Sequence, residues 1–269
     1  MAATKEELRK QKEGRLGEEN YNYQGCLMKI IEYNKATDIV VEFQDKYKSR
    51  VHTAYDNFKK GIVKNPYFPS VYGVGITGNK IPTRKGSDKE HTKEYSAWIT
   101  MLYRCYNEDF KKKEPSYIGV TCCDEWLYFE NFYAWLHSQE NFNKWYNESH
   151  WHLDKDVIKK DNKIYCPEYC SLVPKNVNEL FTNRKNHRGE YPIGVTYNKI
   201  NKRICARCCD GYGNFIFLGY YNTEEEAFYA YKEYKEKVIK RVAQEEYDAG
   251  NITKRCYESM MNYEVEITD

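Results

Sequence analysis

The segment from Tyr191 to Ala243 constrains this chain most, because three short β-type runs lead into a helix whose start is chemically specified. The runs are Ile193 to Asn198, Arg203 to Cys209 and Asn214 to Tyr221, and Asp210-Gly211-Tyr212-Gly213-Asn214 supplies the glycines that a hairpin loop needs. Thr223-Glu224-Glu225-Glu226 is a capping-box pattern, in which the Thr223 hydroxyl takes the Glu226 amide and the Glu226 carboxylate reaches back. Ala227, Ala230, Tyr231, Tyr234, Val238 and Val242 follow at spacings of three and four. One helix face can therefore lie on the sheet, and the small Ala residues permit close approach. Period-two geometry sends Ile204, Ala206 and Cys208 toward the helix and leaves Arg203, Cys205 and Arg207 on the open face.

That face is basic. Between Asn183 and Tyr221 the cations are Arg184, Lys185, Arg188, Lys199, Lys202, Arg203 and Arg207, against Glu190 and Asp210. The chain as a whole carries only +2, so any affinity for a polyanion has to come from a local surface of this kind.

The rest of the chain predicts an α+β protein made of several small modules. Residues 1–20 read as a frayed helix, followed by a small antiparallel β unit with runs at Cys26 to Tyr33, Asp38 to Phe43 and Lys48 to Thr53, and a helical turn at Tyr55 to Lys60. This N-terminal module ends at residue 76, and residues 77–94, rich in Gly, Lys, Pro and Ser, form a basic linker. Residues 95–182 make a central α/β module. Its helices are Tyr95 to Tyr106, with Trp98, Met101, Leu102 and Cys105 on one face, and Trp126 to His137, with a short strand at Tyr117 to Thr121 between them. Residues 183–269 form the sheet-plus-helix module and a tail, in which Tyr257, Met260, Met261 and Tyr263 form an amphipathic segment and Glu264 to Asp269 an added edge strand. Ile118-Gly119-Val120-Thr121 is echoed by Ile193-Gly194-Val195-Thr196, where Gly suits tight packing or a bend at a strand start.

Composition excludes some classes. No apolar run approaches the roughly 20 residues of a membrane span, and the charged start Met1 to Leu8 reads as a helix start and not as a signal peptide. The ten Cys are then expected as reduced thiols. A zinc site at Cys205, Cys208 and Cys209, or at Cys166 and Cys170, is disfavoured, because only Cys205-Ala206-Arg207-Cys208 has knuckle spacing and in a strand those two thiols point to opposite faces. Twenty-seven Tyr suit contact surfaces with protein or nucleic acid alike.

Trp98-Ile99-Thr100-Met101-Leu102-Tyr103-Arg104-Cys105, Asp124-Glu125-Trp126 with Phe129 and Phe132, Leu153-Asp154-Lys155-Asp156 and Tyr165-Cys166-Pro167-Glu168-Tyr169-Cys170 together resemble phage HNH-type endonucleases over about eighty residues. The resemblance implies a general-base His and a single divalent metal held by Asp plus Asn or His. Asp154 matches the metal-binding Asp, but Lys155 stands where the base belongs and Tyr169 where a metal-ligand Asn belongs. A lysine ammonium has no acceptor, and Tyr is a poor Mg²⁺ ligand. His152 is the one nearby substitute, so Asp154 and His152 are catalytic candidates, and Mg a cofactor, only if the chain cleaves; otherwise no cofactor is expected.

Gly194-Val195, Arg203, Ala206, Leu218-Gly219-Tyr220 and Thr223-Glu224-Glu225-Glu226-Ala227 resemble the ethylene-response-factor (apetala-two) domain over about fifty residues. The resemblance implies a sheet that enters the major groove of double-stranded DNA, with Arg188, Lys199, Lys202, Arg203 and Arg207 as contact residues. That family's aromatic reader on the second strand is missing, since Cys205 lies between the arginines. The expectation is a phage-encoded DNA-binding protein of the host bacterial cytosol with a degenerate HNH-like centre. Its alternatives are an interaction protein that inhibits a host defence complex, and a Mg-dependent homing-type endonuclease. Homo-oligomers are compatible with each.

Overall fold

The computed structural model describes residues 5–86, 89–182 and 190–269. In chain order the helices are α1 Lys5–Arg15, α2 Tyr55–Lys59, α3 Lys93–Tyr106, α4 Glu108–Lys113, α5 Phe129–Ser138, α6 Phe142–Asn147, α7 Lys175–Leu180, α8 Glu224–Asp248 and α9 Lys254–Met261. The strands are β1 Glu19–Tyr21, β2 Leu27–Lys35, β3 Asp38–Phe43, β4 Arg50–Thr53, β5 Thr121–Cys122, β6 Trp151–Asp154, β7 Ile164–Tyr165, β8 Ser171–Pro174, β9 Val195–Asn198, β10 Arg203–Cys209 and β11 Phe215–Tyr221. The α+β class expected from the sequence is the one observed, in several small sheets. No helix among the described residues is long and apolar enough to cross a membrane.

The chain divides into two units, Met1–Thr92 with Leu127–Glu130, and Lys93–Trp126 with Asn131–Asp269. The first is built on an antiparallel meander in the order β1-β2-β3-β4. Met28 and Ile30 of β2 face its core, and a bulge after Ile30 switches the parity so that Tyr33 also points inward, beside Ile39, Val41 and Phe43 of β3 and Phe58 of α2. The Tyr33 hydroxyl accepts a 2.6 Å hydrogen bond from the Arg15 guanidinium, which also lies over the Tyr55 ring, so the end of α1 is held.

In the second unit α3 buries Trp98, Met101, Leu102 and Cys105 as their spacing predicts, and the Trp98 indole donates to the Trp126 carbonyl at 2.7 Å. The strand expected over Tyr117 to Thr121 is instead a 3₁₀ turn at Pro115–Tyr117, followed by the two-residue β5, which pairs in parallel with β7. Local bonds from the Ile118 and Val120 amides to the Pro115 and Tyr117 carbonyls, with Gly119 at φ +78, close turns where a strand would leave those groups for a neighbour.

The meander β9-β10-β11 and the helix α8 form where the sequence places them, and the Thr223 capping box is made in both directions. The core beneath the meander is shared with the central segment. Val157, Val173, Val177 and Leu180 pack in one cluster with Ala206, Cys208, Ala227, Val238, Ile239 and Val242. The two stretches expected as separate modules, 95–182 and 183–269, therefore bury one continuous apolar interior. Cys256 and Met260 of α9 join it. The tail is not the expected edge strand, because the Val265 amide is taken by the Glu236 carboxylate and the Val265 carbonyl by the Lys232 ammonium.

Candidate nucleic-acid interface

β10 lies between β9 and β11, and its residues alternate between two environments. Ala206 and Cys208 are buried against α8, with Ile204 packed beside them, while Arg203 and Arg207 are exposed on the other face. Neither guanidinium meets a carboxylate within ion-pair distance among the described residues. Cys205 lies on the open face but is only 1% exposed. It sits between its cross-strand neighbours Thr196 and Tyr220, with the Thr196 hydroxyl 3.3 Å from its sulfur. Cys205 is thus part of the floor of the face and Cys208 part of the core behind it.

The aromatic side chains come from β11, where the sequence did not announce them. A bulge separates two register stretches, Ala206 opposite Gly219 and Arg207 opposite Phe217, leaving Leu218 as the extra residue. Phe217 and Tyr220, three apart, would point to opposite faces of a regular strand. The bulge, with Gly219 at φ +143, puts both on the open face with their ring centroids 5.0 Å apart. Phe215, opposite Cys209, is 77% exposed and Phe217 49% exposed. Arg203 lies over the Tyr220 ring at 5.3 Å, an attraction of roughly 0.5–1 kcal/mol. The Tyr220 hydroxyl is in turn bonded by the side-chain amides of Asn198 and Asn201.

Asn198 also shapes the β9–β10 turn by accepting from the Ile200 and Asn201 amides, at 3.0 and 3.1 Å. Lys199 and Lys202 are exposed there, Lys202 at φ +49. Lys199, Lys202, Arg203 and Arg207 therefore belong to one sheet and its turn, whereas Arg184, Lys185 and Arg188 lie outside the described residues. None of the eighteen residues of β9, β10 and β11 is acidic.

The second set of candidates lies on β6 and the loop after it. Asp154 ends β6, 7% exposed, and its Oδ1 accepts the amides of Asp156 and Val157, both at 2.7 Å. Burial, reinforced by the neighbouring Asp156 carboxylate, pushes its carboxyl up to about 6. Lys155, equally buried, spends its ammonium on both oxygens of Asp156 and on the Asn162 carbonyl, while the Asn162 side chain returns a bond to the Lys155 carbonyl. Residue 155, where the HNH resemblance would put a base, is thus an ammonium with three oxygen partners.

His152 is two residues from Asp154 on the same face of β6, and burial, with the Arg104 guanidinium, lowers its imidazole pKa. Tyr169 sits in the Cys166–Cys170 turn with the Lys159 ammonium 4.4 Å over its ring. Among the described residues no three of His, Cys, Asp or Glu are grouped so as to hold a metal ion. Neither a protein-family model, nor a curated protein, nor a solved structure matches this chain.

Proposed function

We propose that the chain binds DNA through the open face of β9–β11, and that it acts by binding and not by cleavage. The observation that carries this reading is the pairing of Arg203 and Arg207, exposed and with no carboxylate partner among the described residues, with three aromatic rings on a surface that has no acidic strand residue. Guanidinium groups and ring faces are the two groups that attract phosphate and base, respectively. Lys199 and Lys202 extend the positive rim, and Arg188 precedes it in sequence. The HNH-like centre serves as scaffold in this reading: Asp154 ties down the following turn, and Lys155 is committed to Asp156 and Asn162. Double-stranded DNA is the partner that the sequence resemblance implies, in the cytosol of a bacterial host.

A titration of labelled duplex at 50 and 200 mM salt tests the reading, because each phosphate contact contributes about 0.9 to the slope of log K against log salt. Arg203→Ala with Arg207→Ala is expected to weaken binding and flatten that slope by about two units. Equal binding and equal slope for the double variant would refute it. The exposed Phe215 and Ile200, 77% and 92% exposed, favour a second reading in which the face grips a host defence protein. Retention of one stoichiometric protein from nuclease-treated lysate, with no binding of the duplex, would select it.

A further inference from the structure

We infer that Phe215 and Phe217 are stacking plates for an unpaired base, so that this face prefers DNA at unstacked or single-stranded positions over perfect duplex. The inference rests on the DNA-binding reading above and adds the state of the DNA. Phe215 and Phe217 are two apart on β11, opposite Cys209 and Arg207, so both rings leave the same side of the sheet. Their α-carbons are about 6.8 Å apart along the strand. Stacked bases are separated by about 3.4 Å, so that gap is the thickness of one base held between two rings.

The environment of the two rings supports this use. Phe215 makes no ring contact among the described residues, and Phe217 meets only Tyr220, in an edge arrangement with the ring planes at 64°. Phenyl groups 77% and 49% exposed contribute nothing to the core on the α8 side of the sheet. Inside paired, stacked DNA a phenyl face has no base face to meet, whereas an unpaired base offers one on each side. Arg207, directly across from Phe217, is placed for the phosphate that flanks such a base, and Arg203 lies farther along, over Tyr220. The absence of acidic residues from the three strands removes the repulsion that a protein-docking face of mixed charge would present to a polyanion.

The test compares three probes of one sequence, namely perfect duplex, duplex with a short mismatched bubble and single strand, by fluorescence anisotropy on the full chain. The wild type is expected to bind the bubble and the single strand about ten-fold tighter than duplex, in line with the stacking contribution of a base on an aromatic ring. Phe215→Ala and Phe217→Ala should each reduce that preference several-fold, Phe215→Trp should retain it, and the Trp emission should be quenched by the single strand. Both phenyl groups are exposed, so the Ala variants keep the fold, which circular dichroism checks. No preference in the wild type, or equal losses on all three probes in the Phe variants, would overturn the inference while leaving the parent reading intact. Loss of the parent reading is separately visible, as a failure of Arg203→Ala with Arg207→Ala to change binding to any probe.

Discussion

Tyr231 of α8 packs against Gly194 so closely that a β-carbon at residue 194 would fall inside the van der Waals envelope of its ring. Gly194 also holds φ +77, so the glycine is required twice, once by the backbone and once by the helix that lies on it. Gly119, at the matching place in the echoed Ile-Gly-Val-Thr segment, holds φ +78 but has nothing within 4 Å of its missing β-carbon. The two glycines share a backbone conformation and not a packing environment. Gly194→Ala is expected to cost roughly 2–4 kcal/mol, from overpacking plus the left-handed strain, and Gly119→Ala about 1 kcal/mol from strain alone. Urea denaturation of the two variants measures the difference, and equal losses would contradict it.

The carboxyl of Asp154, raised by burial to about 6, sets a second expectation. An unfolded aspartate titrates near 3.9, so between about 4 and 6 the folded chain holds a proton that the unfolded chain has lost. Stability from this group is therefore present below about 4, falls as the pH rises through 6, and stays lower above it. Asp154→Asn removes the buried charge and keeps an oxygen for the amides of Asp156 and Val157. It should raise stability at pH 7 by roughly 1–3 kcal/mol and leave it unchanged near pH 4. A loss of stability at both pH values would show that the carboxylate does more than accept those amides. Plasmid nicking by the wild type with Mg²⁺, abolished in the variant, would reinstate the nuclease.

The start of α8 gives a smaller and sharper test. Its capping box satisfies the Glu226 amide at 3.1 Å from the Thr223 hydroxyl, and the returning Glu226 carboxylate takes the Asn222 and Thr223 amides. Thr223→Ala should cost about 1 kcal/mol, and Thr223→Asp, which keeps an acceptor at the same place, most of a kilocalorie less. Thermal unfolding of the pair at neutral pH reads this ordering, and the reverse order would remove the cap from the account of why the helix begins there.

The features legible in the sequence are those set by local chemistry. Thr223 and Glu226 are three apart and bond as that spacing requires, and Ile204, Ala206 and Cys208 reach the core by strict alternation. The open-face aromatics were not legible, because Phe217 and Tyr220 share a face only through the bulge at Leu218 and Gly219, and a bulge is a property of two paired strands. Cys205 shows the complementary gap: alternation gives its face but not its cover, which comes from the neighbouring strands. The common core of Val157, Val173 and Val177 with Val238 and Val242 was invisible for the same reason, since residues more than sixty positions apart meet only through tertiary packing. Around Asp154 the sequence shows which residue types are present, and the bonds of Lys155 to Asp156 and Asn162 emerge only in the structure.

Lys235 is a buried ammonium on α8. It is 8% exposed on the buried side of α8, lines a cavity of about 880 Å³ with Tyr231 and Leu180, and has no hydrogen-bond or carboxylate partner among the described residues. Burial pushes its ammonium pKa down, opposed by Cys208 and Cys209. The unfolded chain, with a lysine near 10.4, then binds more protons than the folded one, so stability rises with pH from the lowered folded value up to about 10. Lys235→Met, similar in length and apolar, should raise stability at pH 7 by roughly 1–3 kcal/mol, and the gain should shrink as the pH approaches 10. Chemical denaturation of both proteins at pH 7 and pH 10 measures the two differences. A Met variant less stable than the wild type at pH 7 would mean that the ammonium is not isolated in the folded chain.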